Sequence, residues 1–280
     1  MTNKILFILI IPLILFKIIA VYFTEFSLYG DEAQYWLWSK SLDIGYFSKP
    51  PLLSWFLYGY TSFFGDSFFT LKMFPLIIYF LISFAVYKLC LCLSFSQNSS
   101  TLCSLSFFII PSVSVSSFLI STDLLLLLFW VLALTKLLNV RNNGLFLDFL
   151  LLGLFLGLAF LAKYAAVYFF ISLILLIIFD KKTLYVFKDN MMGSLVFCIS
   201  FILIFLPNIF WNINNEWVTF SHTSDNANLQ SLNLNFYEPL KFLSSQIFMI
   251  GPILIVSSII CLKYFNLDFE NKFLLIFSTS

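Results

Sequence analysis

No charged side chain stands between Lys88 and Asp123, and none between Asp189 and Glu216. Uncharged runs of that length constrain the fold more than any motif. A helix needs about 20 apolar residues to cross the hydrocarbon of a bilayer. A chain that is 61% hydrophobic, with 38 Phe among 280 residues, is far above the roughly 45–50% apolar content of soluble domains. The solvent for most of its side chains is therefore lipid, and the expected class is an all-α integral membrane protein, one domain over residues 1–280.

Eight candidate spans follow: about 5–23, 69–93, 102–120, 122–138, 145–161, 164–179, 191–209 and 240–261. A ninth begins at "KFLLIFSTS" and the chain stops inside it, so a longer parent is expected. The opening "MTNKILFILIIPLILFKIIAVYF" is longer than a signal-peptide core and lacks an A-x-A site, which reads as an uncleaved first span. Placing the N-terminus inside puts Lys4, Lys88, Lys136, Arg141, Lys181, Lys182, Lys188, Lys263 and Lys272 on the cytoplasmic side. Lys40, Lys49, Lys72, Lys163 and Lys241 fall outside, and Lys17 lies within the first span. Two long connections, 24–68 and 210–239, then face outward. The net charge of +1 implies no nucleic-acid partner. Cys90, Cys92, Cys103, Cys198 and Cys261 all sit in or at the ends of apolar runs, as small apolar filler.

Charge concentrates in the first outer connection. "GDEAQYWLWSKSLDIGYFSKPPLLSW" holds Asp31, Glu32, Lys40, Asp43 and Lys49 in a chain that is only 10% charged. Its first part fits a short helix in the membrane interface, opened by Asp31 where the helix dipole favours a carboxylate. The Pro50–Pro51 turn holds Lys49 on extended backbone. Asp31 and Glu32 fit either a solvated helix start or a general base for an attacking hydroxyl. Lys49 fits either an interfacial lysine reaching water or a phosphate contact. Asp123 opens an apolar run at the outer surface, as a helix cap or a cavity-lining acid. Lys163 is a turn lysine or a cavity cation that could pair with Asp31 or Asp123. His222 is the only histidine and makes no metal site alone. No cofactor is assigned, and a divalent metal is left open.

These residues carry a resemblance. "DEAQYWLWSKSLDIGYFSKPPLLSWFLYGYTSFFGDS" resembles the first periplasmic loop of bacterial ArnT-like glycosyltransferases, relatives of the protein O-mannosyltransferases with the GT-C fold. "STDLLLLLFWVLAL", "GLFLGLAFLAKYAAV", "PNIFWNINNEWVTF" and "SQIFMIGPILI" are similar to later blocks of that family, in the same order. The resemblance implies a multi-pass enzyme of the bacterial inner membrane that works on its outer face. It would move a sugar, with inversion, from a polyprenyl-phosphate carrier to a hydroxyl on a lipid, lipopolysaccharide or other glycan or protein acceptor. Asp31 falls on the catalytic acidic position, and Glu32 completes the Asp-Glu pair. Lys49 matches the lysine that contacts the carrier phosphate, and Asp123 matches a second acidic residue. Lys163 and Tyr164 fall on a recurrent block, Tyr46 is among the aromatics shaping the pocket, and His222 has a looser counterpart. The outer loops contain no Arg, so a phosphate clamp would rest on Lys. The rival readings are a flippase or transporter of lipid-linked sugar, whose charges should lie at mid-membrane breaks, and an inactive fragment.

Overall fold

The computed structural model describes residues 3–23, 27–226, 237–261, 266 and 268–278. Among them every regular element is helical. α1 spans Asn3–Tyr22, and the first connection folds into α2 (Gly30–Lys40) and α3 (Leu52–Phe64). Then come α4 (Phe68–Cys92), α5 (Gln97–Ile109), α6 (Pro111–Ser116), α7 (Thr122–Asn143) and α8 (Phe146–Ala162). A 3-10 turn at Tyr164–Ala166 leads into α9 (Val167–Phe179), α10 (Lys181–Asp189) and α11 (Met191–Asn214). Last are α12 (Val218–Asn226), α13 (Tyr237–Ile250), α14 (Pro252–Cys261) and α15 (Phe269–Ser278).

Three of the described helices are long and apolar enough to cross a membrane: α4, α7 and α11. A fourth span forms if α9 and α10 count together, although they bend by 104° at their junction. Residues Ile11–Tyr22 of α1 and the whole of α8 are shorter apolar helices. The spans expected at 102–120 and 240–261 are each divided. α5 gives way to α6 at Ile110–Pro111, where proline withholds a backbone donor and disfavours helix in the residue before it. α13 ends at Gly251, whose φ of +89° suits glycine, and Pro252 starts α14. Part of the expected 210–239 loop is helical, because α11 runs on to Asn214 and α12 follows. Residues 227–236 of it lie outside the described residues.

The core lies where α8 packs between α7 and α11, with α4 on the far side of α7. Lipid tails are as apolar as leucine, so membrane helices gain by close backbone approach at small residues. Gly153 and Gly157, four apart on α8, supply that approach. A Cβ at Gly153 would run into Ser200 Oγ and the Phe197 carbonyl, and one at Gly157 would sit 2.7 Å from Ile204. Leu124, Leu125, Leu137, Phe149, Leu152 and Leu156 are fully buried in the same layer.

The polar groups of α7 lie at its two ends. Asp123 is in its first turn and Arg141 in its last, roughly 27 Å apart at 1.5 Å per residue. At the Arg141 end Lys136 pairs with Asp148 (2.9 Å) and Arg141 with Asp180 (2.8 Å). The Asp123 end carries α2, α3 and the candidate site.

Candidate active site

Asp31 and Glu32 are neighbours on the first turn of α2, yet their surroundings differ completely. Glu32 is 2% exposed and accepts four hydrogen-bond partnerships. Lys72 Nζ reaches both of its oxygens (2.7 and 2.6 Å), the Ile120 amide donates to one (2.9 Å) and the Tyr29 amide to the other (2.9 Å). Asp31 is exposed and has no hydrogen-bond or ion-pair partner among the described residues. It lines a cavity of about 710 Å³ together with Tyr29, Phe118, Leu119 and Ser121.

The segment that faces α2 is the connection from α6 to α7. Three helices hold it through charged side chains. From α1, Lys17 donates to the Ser114 carbonyl (3.0 Å) and to Ser117 Oγ. From α4, Lys72 adds a bond to the Phe118 carbonyl (3.2 Å), and from α2 Glu32 takes the Ile120 amide. These contacts satisfy backbone groups that the broken helix leaves free. They also fix the start of α7, and with it Asp123.

Asp123 accepts a 2.6 Å bond from Lys163, at the end of α8. Both partners are partly open to solvent, with side chains 51% and 37% exposed. Lys163 leaves helical geometry (φ −159°, ψ 133°), which swings it out of the α8 axis at this end of the bundle. Tyr35, one turn after Asp31, is 4% exposed. Burial first, then the carboxylates of Asp31 and Asp123, push its phenol up to about 12. Asp31 lies one helical turn before Tyr35 on α2, and the charge of Asp123 also reaches its hydroxyl.

Residues 41–51 form a clamped loop. Tyr46 stacks on Trp38 with ring centroids 4.6 Å apart, and its hydroxyl donates to the Trp38 carbonyl and accepts from the Asp43 amide. Trp55 donates to the Asp43 carbonyl (2.8 Å) and Trp211 to the Asp43 carboxylate (3.0 Å). Asn208 donates to the Ile44 carbonyl and Thr219 to the Tyr46 carbonyl. Gly45 is required here, since a Cβ would enter the Trp211 ring. The Lys49 carbonyl accepts from the Tyr46 amide, which closes the loop. Lys49 is half-buried, and its ammonium has no partner among the described residues. Tyr164 is bonded to Asn208 (2.8 Å) and Asn212 (3.2 Å) and stacks on Phe220, so it braces α11 and α12. His222 meets the Phe47 ring edge-on at 4.9 Å.

The residues singled out in the sequence therefore fall into two linked groups. Asp31 stands one turn before Tyr35 on α2, and Asp123, paired with Lys163, also acts on the Tyr35 phenol through its charge. Tyr46, Lys49, Tyr164 and His222 belong to the clamped loop and its supports. The Tyr35–Trp38–Tyr46 row of rings joins the two groups, with no direct bond from Asp31 to Lys49 among the described residues. Among the described residues no group of three or more His, Cys, Asp or Glu side chains is gathered in a way that could hold a metal. Lys72, Tyr35, Asn208 and Asn212 escaped the sequence reading. Asn208 and Asn212, four apart in an otherwise apolar run, were the visible signal: polar groups in such a helix need partners.

A family model described as dolichyl-phosphate-mannose-protein mannosyltransferase matches residues 48–211, which include Lys49, Asp123, Lys163 and Tyr164. The chain is 28% identical over 244 residues to a lipid A galacturonosyltransferase, RgtD, of Rhizobium johnstonii (strain DSM 114642 / LMG 32736 / 3841). That alignment covers 86% of the chain and 50% of the relative, so the chain spans about half the length of the curated relative it matches. No solved structure matches. With more than half of its residues inside the family model, the chain belongs to the dolichyl-phosphate-mannose-protein mannosyltransferase family, of the ArnT-like GT-C class of glycosyltransferases.

Proposed function

We propose that the chain carries the catalytic centre of a polyprenyl-phosphate-dependent sugar transferase in a bundle of eight to nine spans. Its α2–α3 end would face the outside of a bacterial inner membrane. The acceptor is a hydroxyl on a lipid, lipopolysaccharide or other glycan or protein. Asp31 takes the proton of that hydroxyl as its oxygen attacks the anomeric carbon of the donor sugar. The bond from that carbon to the phosphate oxygen breaks, the configuration inverts, and polyprenyl phosphate leaves. Lys49 holds the departing phosphate, where negative charge grows in the transition state. Lys163 supplies a second cation, with Asp123 fixing its position. Glu32, adjacent to the base, keeps α2 in place through Lys72.

The single observation that carries this reading is the contrast within one helical turn. Both line the same cavity, but Glu32 is buried and fully bonded, whereas Asp31 is exposed and has no partner among the described residues. A base needs a free carboxylate within reach of its substrate. The fit of Lys49 is independent: a rigid loop presents an unpartnered ammonium. The name of the matched relative favours an anionic sugar and a lipid A acceptor.

The transporter reading would place charge at helix breaks in mid-membrane. The breaks at Ile110–Pro111 and Gly251–Pro252 meet, with Gly251 against Pro111, and the pocket between them is lined by Ser106, Ile109, Ile110, Ile250 and Leu254, all uncharged, while the charges at the α6–α7 break, Lys17, Lys72 and Glu32, are taken up in bonds within the protein. That favours chemistry at the α2 end. The test is donor cleavage in proteoliposomes by the wild type and an Asp31→Asn variant.

A further inference from the structure

Tyr35 presents a chemical demand that the fold leaves unmet. Its ring is almost entirely enclosed, in contact with the core and 5.8 Å from the Trp38 ring. A buried hydroxyl ordinarily finds a hydrogen-bond partner. The Tyr35 hydroxyl has none among the described residues. Nor is it sealed in: the one closed-off, unpaired side-chain atom among them is the Asn212 amide oxygen. The Tyr35 oxygen therefore touches open space, and Asp31 and Asp123 are the charges that act on it.

We infer that Tyr35 is a donor-sugar contact, giving its hydrogen bond to a hydroxyl oxygen of the transferred sugar, whose own proton points to Asp123. This rests on the transferase reading above. The chemistry selects a hydroxyl. A phenol in the field of two carboxylates, one of them a turn away on the same helix, is a poor seat for a phosphate, which like charges would repel. A sugar hydroxyl both accepts and donates, so it can satisfy the phenol and a carboxylate together. Asp123 has the capacity, since Lys163 occupies only one of its oxygens. The phosphate is left to Lys49, since Lys163 is already paired with Asp123, so the sugar lies over Tyr35 while its leaving group lies toward Lys49. Burial and the two acids keep the phenol protonated through the neutral range, so it remains a donor wherever the enzyme works.

The test uses the full chain in proteoliposomes. The donors are undecaprenyl-phosphate-linked sugars of three classes: a neutral hexose, a uronic acid and an amino pentose. Steady-state kinetics compare wild type, Tyr35→Phe and Asp31→Asn on the best donor, and then on that donor's monodeoxy series. Tyr35→Phe removes no bond to any described residue, so its unfolding temperature should match wild type. Its donor kcat/KM should fall roughly ten- to a hundredfold, the usual scale for stranding one polar group. One deoxy position should cost the wild type a similar factor and cost Tyr35→Phe nothing further. The deoxy series on the wild type serves as a probe that needs no variant. A Tyr35→Phe enzyme within twofold of wild type, beside an inactive Asp31→Asn, overturns the inference and leaves the transferase reading standing. Equal losses on every deoxy donor in both enzymes, or a loss confined to the acceptor KM, overturn it too. An Asp31→Asn enzyme as active as wild type removes the catalytic reading itself.

Discussion

Lys72 reaches across from α4 to hold both carboxylate oxygens of Glu32, at 2.7 and 2.6 Å, inside the protein. Lys72 is 8% exposed and Glu32 2%, so neither partner is relieved by water if the other is lost. Removing one member of a buried pair strands the remaining charge and costs about 3–5 kcal/mol. Lys72→Met should therefore lower the unfolding temperature in detergent sharply. The double variant Glu32→Gln/Lys72→Met should recover part of that loss. A Lys72→Met protein as stable as wild type would show that the pair does not hold α2.

Lys163 and Asp123 form the opposite kind of pair. Both side chains are partly solvated, so the bond is worth about 0–1 kcal/mol to the fold. Lys163→Ala should melt close to wild type while its turnover of lipid-linked donor drops at least tenfold. Thermal unfolding and donor cleavage, measured on the same preparation, separate the two effects. A variant that loses stability and activity in parallel would make this a structural bridge.

Gly45 sits against the Trp211 ring with no room for a methyl group. Gly45→Ala must displace either the ring or the loop, at about 1–3 kcal/mol for overpacking. Since that loop carries Lys49, the donor KM should rise even where the protein remains folded. Altered Trp fluorescence together with an unchanged donor KM would separate the loop from phosphate binding.

At the far end of the bundle, Asp180 caps α10 and accepts from Arg141. Burial alone would raise its pKa, but the Arg141 bond and the Thr183 donors outweigh it and hold the carboxyl at about 2. A folded-state pKa below the unfolded one stabilises the fold above pH 3.8, and that contribution is lost as pH falls toward 2. Asp180→Asn should therefore flatten the acid limb of the stability curve between about pH 4 and 2, with activity at neutral pH retained. An unchanged acid limb would remove Asp180 from the account.

Much of this architecture was legible in the sequence because lipid leaves so few options. The apolar runs at 69–93, 122–138, 145–161 and 191–209 are single helices, displaced by a few residues at their ends. The first connection begins its helix at Gly30, with Asp31 and Glu32 in the first turn. Hydropathy could not show that Ile110–Pro111 and Gly251–Pro252 divide two further runs, since a break changes backbone geometry and leaves composition alone. The run at 164–179 ends where α9 ends, at Phe179, but hydropathy does not show that α10 then turns away by 104°. The site was legible by residue type and illegible by partner. Asp31 and Glu32 look alike on paper. Only the fold brings Lys72, 40 positions away, onto Glu32 and leaves Asp31 free. Tyr35 carries no signal of its own in the sequence; only the fold shows its ring buried and its hydroxyl without a partner among the described residues.

The central claim is that Asp31 is the base for sugar transfer. Its most direct test is release of free polyprenyl phosphate from lipid-linked sugar, in proteoliposomes holding the chain with an acceptor lipid. The account predicts release by the wild type, loss of at least a hundredfold in Asp31→Asn, and an unfolding temperature unchanged by that substitution, because Asp31 has no bonding partner among the described residues. Release by Asp31→Asn at the wild-type rate would contradict it.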